Sequence, residues 1–233
     1  GGIKVDPDTT MSNIAGLFAC GECAAGMHGA NRLGGNSLSD LLVFGNLSGK
    51  GASKYAKKQT NYPKIHPNHI SSIIRNATDI LNRESGENPY LLHEELQTNM
   101  QQNAGIIRNK KKLEKGLKTL ELLKNKYESV KASGASQFNP GWHEAIAMRN
   151  LLITAEAVTK SALSREESRG AHTREDFPGE RKEGYTYNTI ISKNSSGKME
   201  LKKQNRVEPD QELKRIAESS LEDLEKEVAR EQS

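Results

Sequence analysis

The sequence predicts a mostly α fold with a small α+β part. A strand, a Gly-rich loop and a helix come first, then a helical bundle, then a β-hairpin and a terminal helix. Three observations carry this. Charge is unevenly placed: Lys4, Asp6, Asp8, Glu22, Arg32, Asp40 and Lys50 are the only charged side chains of residues 1–50, in a chain with 34 Lys+Arg and 30 Asp+Glu. Gly-dense backbone with little charge packs closely against something, whereas a charge-rich body with helical spacing makes solvated helices around a modest core. Apolar residues then recur at three- and four-residue spacing through most of 70–162. Finally, 21–35 and 194–197 interrupt the pattern with turn-forming residues.

The elements follow in order. Leu17-Phe18-Ala19-Cys20 reads as a short buried strand. Residues 21–35 hold five glycines without a helical pattern and form a loop. Ser37-Leu38-Ser39-Asp40 fits a capping box, a hydroxyl with a carboxylate three residues on. It opens a helix through Leu41-Leu42-Val43-Phe44 to about Tyr55. A connector with Pro63 and Pro67 follows. Ile70, Ile73, Ile74, Ala77 and Leu81 stripe a helix over 70–81. Asn88-Pro89 closes the next linker, and 90–102 is helical. Leu113, Leu117, Leu120, Leu123 and Tyr127 line one face of the next helix. Residues 134–141 are a break, with Asn139-Pro140-Gly141 as a turn. Ala145, Met148, Leu152, Ala155 and Ala162 stripe a long helix over 142–167, completing a three- or four-helix bundle over 85–167. Residues 168–178 are irregular. Residues 187–193 and 198–201 flank a Gly-containing loop as a hairpin. Leu213, Ile216, Ala217, Leu221, Leu224 and Val228 make one last amphipathic helix.

Composition excludes several classes. No apolar run approaches the roughly 18 residues of a membrane helix, so a soluble, cytoplasmic chain is expected. Two cysteines cannot build a disulfide framework. Cys20-Gly21-Glu22-Cys23 has C-x-x-C spacing, but no second pair exists to complete a four-Cys zinc site. A redox pair would cap a helix N-terminus rather than end a strand, so buried, inert thiols are expected. No two of the six histidines stand four apart on one helix, and no metal site is expected. Lys110-Lys111-Lys112, followed by Glu114 and Lys115, is a solvated helix face. Without interleaved aromatics it is no nucleic-acid surface.

Arg32 is the most informative residue. It is the only Arg in the first fifty residues, within Gly29-Ala30-Asn31-Arg32-Leu33-Gly34-Gly35-Asn36-Ser37-Leu38. Glycines let backbone approach a ligand, and a helix N-terminus just beyond offers N–H groups to an anion. A guanidinium there matches a carboxylate or phosphate. Bonding to loop carbonyls is the other role open to it.

Gly16-Leu17-Phe18-Ala19-Cys20-Gly21-Glu22-Cys23, with His28-Gly29-Ala30-Asn31-Arg32-Leu33-Gly34-Gly35-Asn36-Ser37-Leu38, resembles the flavoprotein subunit of succinate dehydrogenase and fumarate reductase. Glu167-Ser168-Arg169-Gly170-Ala171-His172, with Arg174, Asp176 and Pro178, is similar to that family's second signature. The resemblance spans about 1–180. The family's G-x-G-x-x-G fingerprint, flavin-attachment His, capping domain and proton-donor Arg are not in this sequence, which therefore looks like the C-terminal part of a larger subunit. The resemblance implies that residues 1–57 are the C-terminal segment of a FAD/substrate-binding domain. A connector with a helix (58–84), a helical bundle domain (85–170) and an extension with hairpin and helix (171–233) follow.

The resemblance further implies FAD as cofactor of the complete subunit and a C4 dicarboxylate, succinate or fumarate, as substrate. It also implies a missing N-terminal half, an iron–sulfur partner subunit, and membrane contact only through partner subunits. Arg32 would hold one substrate carboxylate. Glu22 would bind a ribityl or ribose hydroxyl of the cofactor, and Asn36, Ser37 and Leu38 would meet the flavin near its N1/O2 edge. No residue of this chain is assigned a catalytic role, and Arg169, His172 and Arg174 would brace the helical domain on the flavin domain. Alternatives are an L-aspartate oxidase-like flavoprotein, against which Gly34-Gly35 speaks, and a non-catalytic helical interaction module.

Overall fold

The computed structural model describes residues 1–61 and 64–231, with side chains through residue 229. Pro63 of the expected connector lies outside the described residues. The chain divides into two compact units, Gly1–Glu180 and Arg181–Ser233.

In the first unit, β1 (Ile3–Lys4) pairs in parallel with β2 (Ala24–Ala25). The expected strand over 17–20 does not form. Phe18 makes a single bridge to Met11, flanked by hydrogen bonds from Ser12 N to Leu17 O (2.7 Å) and from Ala19 N to Thr10 O (3.1 Å). Thr10 has φ of 58°, which turns the partner segment out of extended geometry and stops the ladder after one step. Ala19 is buried, but Leu17 is exposed.

Helix α1 (Asn36–Lys58) begins one residue before the expected hydroxyl cap, with Gly35 as N-cap at φ 83° and no side-chain cap. Ser37 therefore lies inside the helix, and Asp40 is turned to His28 instead of capping. A 3₁₀ turn, Gly21–Cys23, lies against α1. It sits so close that a Cβ at Gly21 would stand 2.6 Å from a Leu41 methyl.

Helix α2 (Pro67–Asn82) starts at Pro67, a residue expected in the connector. Proline at the first helical position gives up only an N–H that has no intrahelical partner. Helices α3 (Pro89–Ala104), α4 (Lys110–Tyr127) and α5 (Pro140–Ser164) form the bundle. The side chains of Asn88, Asn109 and Asn139 cap the three N-termini. Asn139-Pro140-Gly141 therefore opens a helix rather than forming a turn, because the Asn139 amide oxygen accepts from Trp142 N at 2.9 Å. Leu92, Leu96, Leu120, Leu123, Met148 and Leu152 fill the core. Trp142 Nε1 donates to Ala77 O at 2.7 Å and ties α2 to α5.

Residues beyond α5 are more regular than expected. Here β4 (Thr173–Arg174) pairs in parallel with β3 (Ile107–Arg108), which precedes α4. In the second unit, β5 (Tyr187–Lys193) and β6 (Met199–Asn205) form an antiparallel hairpin, with Tyr187 opposite Asn205 and Lys193 opposite Met199. The single terminal helix is instead two, α6 (Gln211–Glu218) and α7 (Leu221–Glu231). Ser219 is extended at φ −77°, ψ 150°, and the Ser220 hydroxyl accepts from Asp223 N at 3.2 Å. Serine hydroxyls compete for backbone groups in this way and favour caps over helix interiors.

Candidate active site

Arg32 lies on the Gly-rich loop between β2 and α1, and the other residues singled out above flank that loop. Arg32 is exposed, as are Glu22, Asn36 and Leu38, while Ser37 is half-buried. Glu22 lies in the 3₁₀ turn just before β2, and Asn36, Ser37 and Leu38 form the first turn of α1. Backbone N–H groups at such a helix start carry partial positive charge. Among the described residues no side chain caps them. Leu38 is 69% exposed and Leu42 76%, so an apolar surface adjoins this polar edge. An uncapped helix start beside exposed leucines fits a large flat group with an electron-rich edge, such as a flavin.

Two contacts among the described residues reach the loop from elsewhere in the chain. His28 Nε2 donates to Asp40 Oδ2 at 3.0 Å, and the Asp40 side chain is only 5% exposed. Among the described residues its Oδ1, which is buried, has no hydrogen-bond partner. No sequence signal joins these residues, and local pattern makes Asp40 a capping carboxylate instead. The second contact comes from Gly170 in the other signature, which lies directly against Ala30.

That signature ties together the ends of three helices. The Arg174 guanidinium is 1% exposed. It donates to Ala162 O (2.9 Å), Leu163 O (3.2 Å) and Arg165 O (3.1 Å) at the end of α5. It also forks onto both carboxylate oxygens of Asp176 at 2.8 and 2.9 Å. Asp176 in turn accepts from Lys110 N at the start of α4 (2.8 Å). The Arg174 hydrogen bonds hold the Asp176 carboxyl well below the usual carboxylate range. Arg108 donates to Ala104 O and Gly105 O at the end of α3 and to His172 Nδ1 at 2.9 Å. His172 Nε2 faces Arg165 O at 3.1 Å, so the neutral ring satisfies both partners. Burial pushes the His172 pKa down, and the neighbouring Arg108, Arg174 and Arg165 charges add to that. Glu167, 2% exposed, is bound by Arg165 and Arg169.

The cysteines depart from expectation. Both are free, but Cys20 is only half-buried and Cys23 is exposed. The 3₁₀ turn, replacing the expected strand end, swings Cys23 outward, where its Sγ lies 3.2 Å from Cys20 O.

A family model described as fumarate reductase flavoprotein C-term matches residues 93–221, more than half of the chain. The chain belongs to the succinate dehydrogenase and fumarate reductase flavoprotein family. A model described as FAD binding domain matches residues 1–38, the segment ending at Leu38. The succinate dehydrogenase flavoprotein subunit of Coxiella burnetii is 37% identical over 177 residues, 75% of this chain and 30% of that protein. The fumarate reductase flavoprotein subunit of Escherichia coli is 36% identical over 179 residues, 76% of this chain and 30% of that protein. Among solved structures, a chain of the Mycobacterium smegmatis Sdh1 complex in the apo form superposes with a TM-score of 0.86 at 41% identity. That match covers 97% of this chain and 38% of the other. This flavoprotein chain thus spans about a third of the length of the curated relatives it matches. Among its described residues no helix is long and apolar enough to cross a membrane.

Proposed function

We propose that the protein carrying this chain is a FAD-dependent oxidoreductase that interconverts succinate and fumarate, with Arg32 holding one carboxylate of the C4 dicarboxylate. The observation that carries this reading is the placement of Arg32. It is exposed on a Gly-rich loop four residues before an uncapped helix start, at the end of a segment matched by a FAD-binding model. Bound FAD supplies the hydride-transfer chemistry. The first turn of α1, at Asn36, Ser37 and Leu38, meets the flavin near its N1/O2 edge with the positive end of the helix, the Asn36 and Leu38 N–H groups themselves bonding Leu33 O and Gly35 O. Preorganised dipoles of this kind stabilise developing negative charge at no reorganisation cost. Exposed Leu38 and Leu42 give the ring an apolar face, and Glu22 accepts a hydrogen bond from a ribityl or ribose hydroxyl. The Arg32 fork fixes the dicarboxylate so that its reacting carbons face the flavin, a positional contribution to rate.

This chain then supplies substrate positioning and part of the flavin contact surface. The dinucleotide-binding loop and the proton donor come from the remainder of a full-length subunit. Electrons pass to an iron–sulfur partner subunit, and any membrane contact is made through partner subunits.

The test is steady-state fumarate reduction by the FAD-loaded holoenzyme carrying Arg32→Lys. An ammonium cannot reproduce a two-oxygen fork. Because about 1 Å of misplacement can cost on the order of 10²-fold in rate, kcat/KM should fall by roughly that factor with FAD still bound. Near-normal kinetics would return Arg32 to bracing the loop. Turnover of L-aspartate but not of succinate would favour the L-aspartate oxidase alternative.

A further inference from the structure

The geometry points to the Gly170 turn as a positioning element for Arg32, an inference that rests on Arg32 being the carboxylate ligand. Arg169 and His172 close a tight turn by reciprocal backbone bonds, from Arg169 N to His172 O (2.8 Å) and from His172 N to Arg169 O (3.0 Å). Gly170 stands in it at φ 56°. A Cβ at that position would lie 2.4 Å from Ala30 O, 2.7 Å from the Ala30 carbonyl carbon and 2.9 Å from the Ala30 Cβ. Two of these three atoms are backbone, so no rotamer change relieves the contact. A side chain at position 170 requires either the loop carrying Arg32 or the turn itself to shift.

Around its other glycines the loop is open. A Cβ at Gly26, Gly29, Gly34 or Gly35 would have nothing within 4 Å. Before Ala30 the loop is held by the His28–Asp40 pair. After it, Asn36 N donates to Leu33 O at a long 3.3 Å. Arg32 lies between these supports, two residues beyond the Ala30–Gly170 contact. The turn itself has a rigid base. Arg169 is bound to buried Glu167 at 2.9 Å and to Glu180 at 3.2 Å. His172 is held between Arg108 and Arg165 O, which places the turn on the ends of α3 and α5. The bundle thereby sets the height of the substrate-binding loop without touching substrate. A displacement of Ala30 is passed to Arg32 through two peptide units, and a near-attack geometry tolerates little of it.

The experiment uses the FAD-loaded holoenzyme and follows malonate, a non-reacting dicarboxylate, by its perturbation of the flavin spectrum. Gly170→Ala and Gly170→Asn both introduce the colliding Cβ, but Asn adopts positive φ far more readily. Gly179→Ala is the control, because Gly179 has φ 88° but open space around its Cβ position. If the turn positions Arg32, both Gly170 variants weaken malonate binding by at least about tenfold, the smallest loss expected from a displaced two-oxygen fork. Gly179→Ala binds malonate as the parent does. Hydrogen exchange of residues 26–35 rises in the Gly170 variants and not in the control. Should Gly170→Ala fail to fold, Gly170→Asn decides the matter. Parental affinity in either folded Gly170 variant overturns the inference, as does recovery in Gly170→Asn alone, which would make backbone strain the cause. Arg32→Ala separates the two failures. If it binds malonate normally, the substrate role of Arg32 falls and this inference with it. If it loses malonate while the Gly170 variants keep it, only this inference falls.

Discussion

At the residue scale, the buried charges of the second signature govern stability more than those of the exposed loop. Arg174 is 1% exposed and donates to three carbonyls at the end of α5. Replacing it with Met takes this donor from Ala162 O and Leu163 O, while Arg165 O keeps His172 Nε2. Unsatisfied buried polar groups cost about 1–3 kcal/mol each, so Arg174→Met should destabilise by at least about 2 kcal/mol, read from denaturant unfolding. An undiminished unfolding midpoint would mean that other donors reach these carbonyls. His172 gives the pH dependence. Burial lowers its pKa from the ordinary 6.5, so the unfolded chain takes up a proton that the folded chain resists. Stability associated with His172 is therefore present above its unfolded pKa and is lost as pH falls through its folded pKa. The melting temperature should drop between about pH 7.5 and about pH 5.5, and His172→Gln should flatten that slope. An equal slope in the variant would place the titrating group elsewhere.

At the element scale, the periodicity of the bundle helices decides which side chains matter. Leu152 is 2% exposed within the core, whereas Leu117 is only partly buried at its margin, although both belong to apolar stripes. Leu152→Ala should cost about 2–5 kcal/mol and Leu117→Ala distinctly less, measured by chemical unfolding. Equal losses would show that the bundle core extends to Leu117. The bundle is legible in the sequence because apolar spacing and the breaks between the stripes point to the same helices. The departures have local causes. Asn139-Pro140-Gly141 has the composition of a turn, and only the amide bonded to Trp142 N makes it a helix start. A strand at 17–20 needs a ladder that positive φ at Thr10 prevents. One terminal stripe becomes two helices because Ser219 and Ser220 sit where the apolar period alone gives no warning. The β3–β4 pair joins residues far apart in sequence, beyond the reach of local pattern.

At the scale of the whole molecule, the Gly-rich head meets the signature that follows the helical bundle where Ala30 lies against Gly170. Arg32 and the start of α1 are legible together because a charge-poor, Gly-rich stretch isolates a single guanidinium before a helix, whereas Glu22 is singled out by the family resemblance alone. The His28–Asp40 pair is not, since nothing in a twelve-residue separation marks two side chains as partners. The central claim is that this head presents Arg32 to a dicarboxylate beside a flavin. Its most direct test is a malonate titration of the FAD-loaded holoenzyme, followed through the flavin spectrum, in the parent and in Arg32→Ala. The account predicts a saturable spectral change in the parent. It predicts an affinity lower by at least about tenfold in the variant, as removal of a charge-assisted bond of about 1.5–3 kcal/mol requires. Equal malonate affinity in the two proteins, with FAD bound in both, would contradict it.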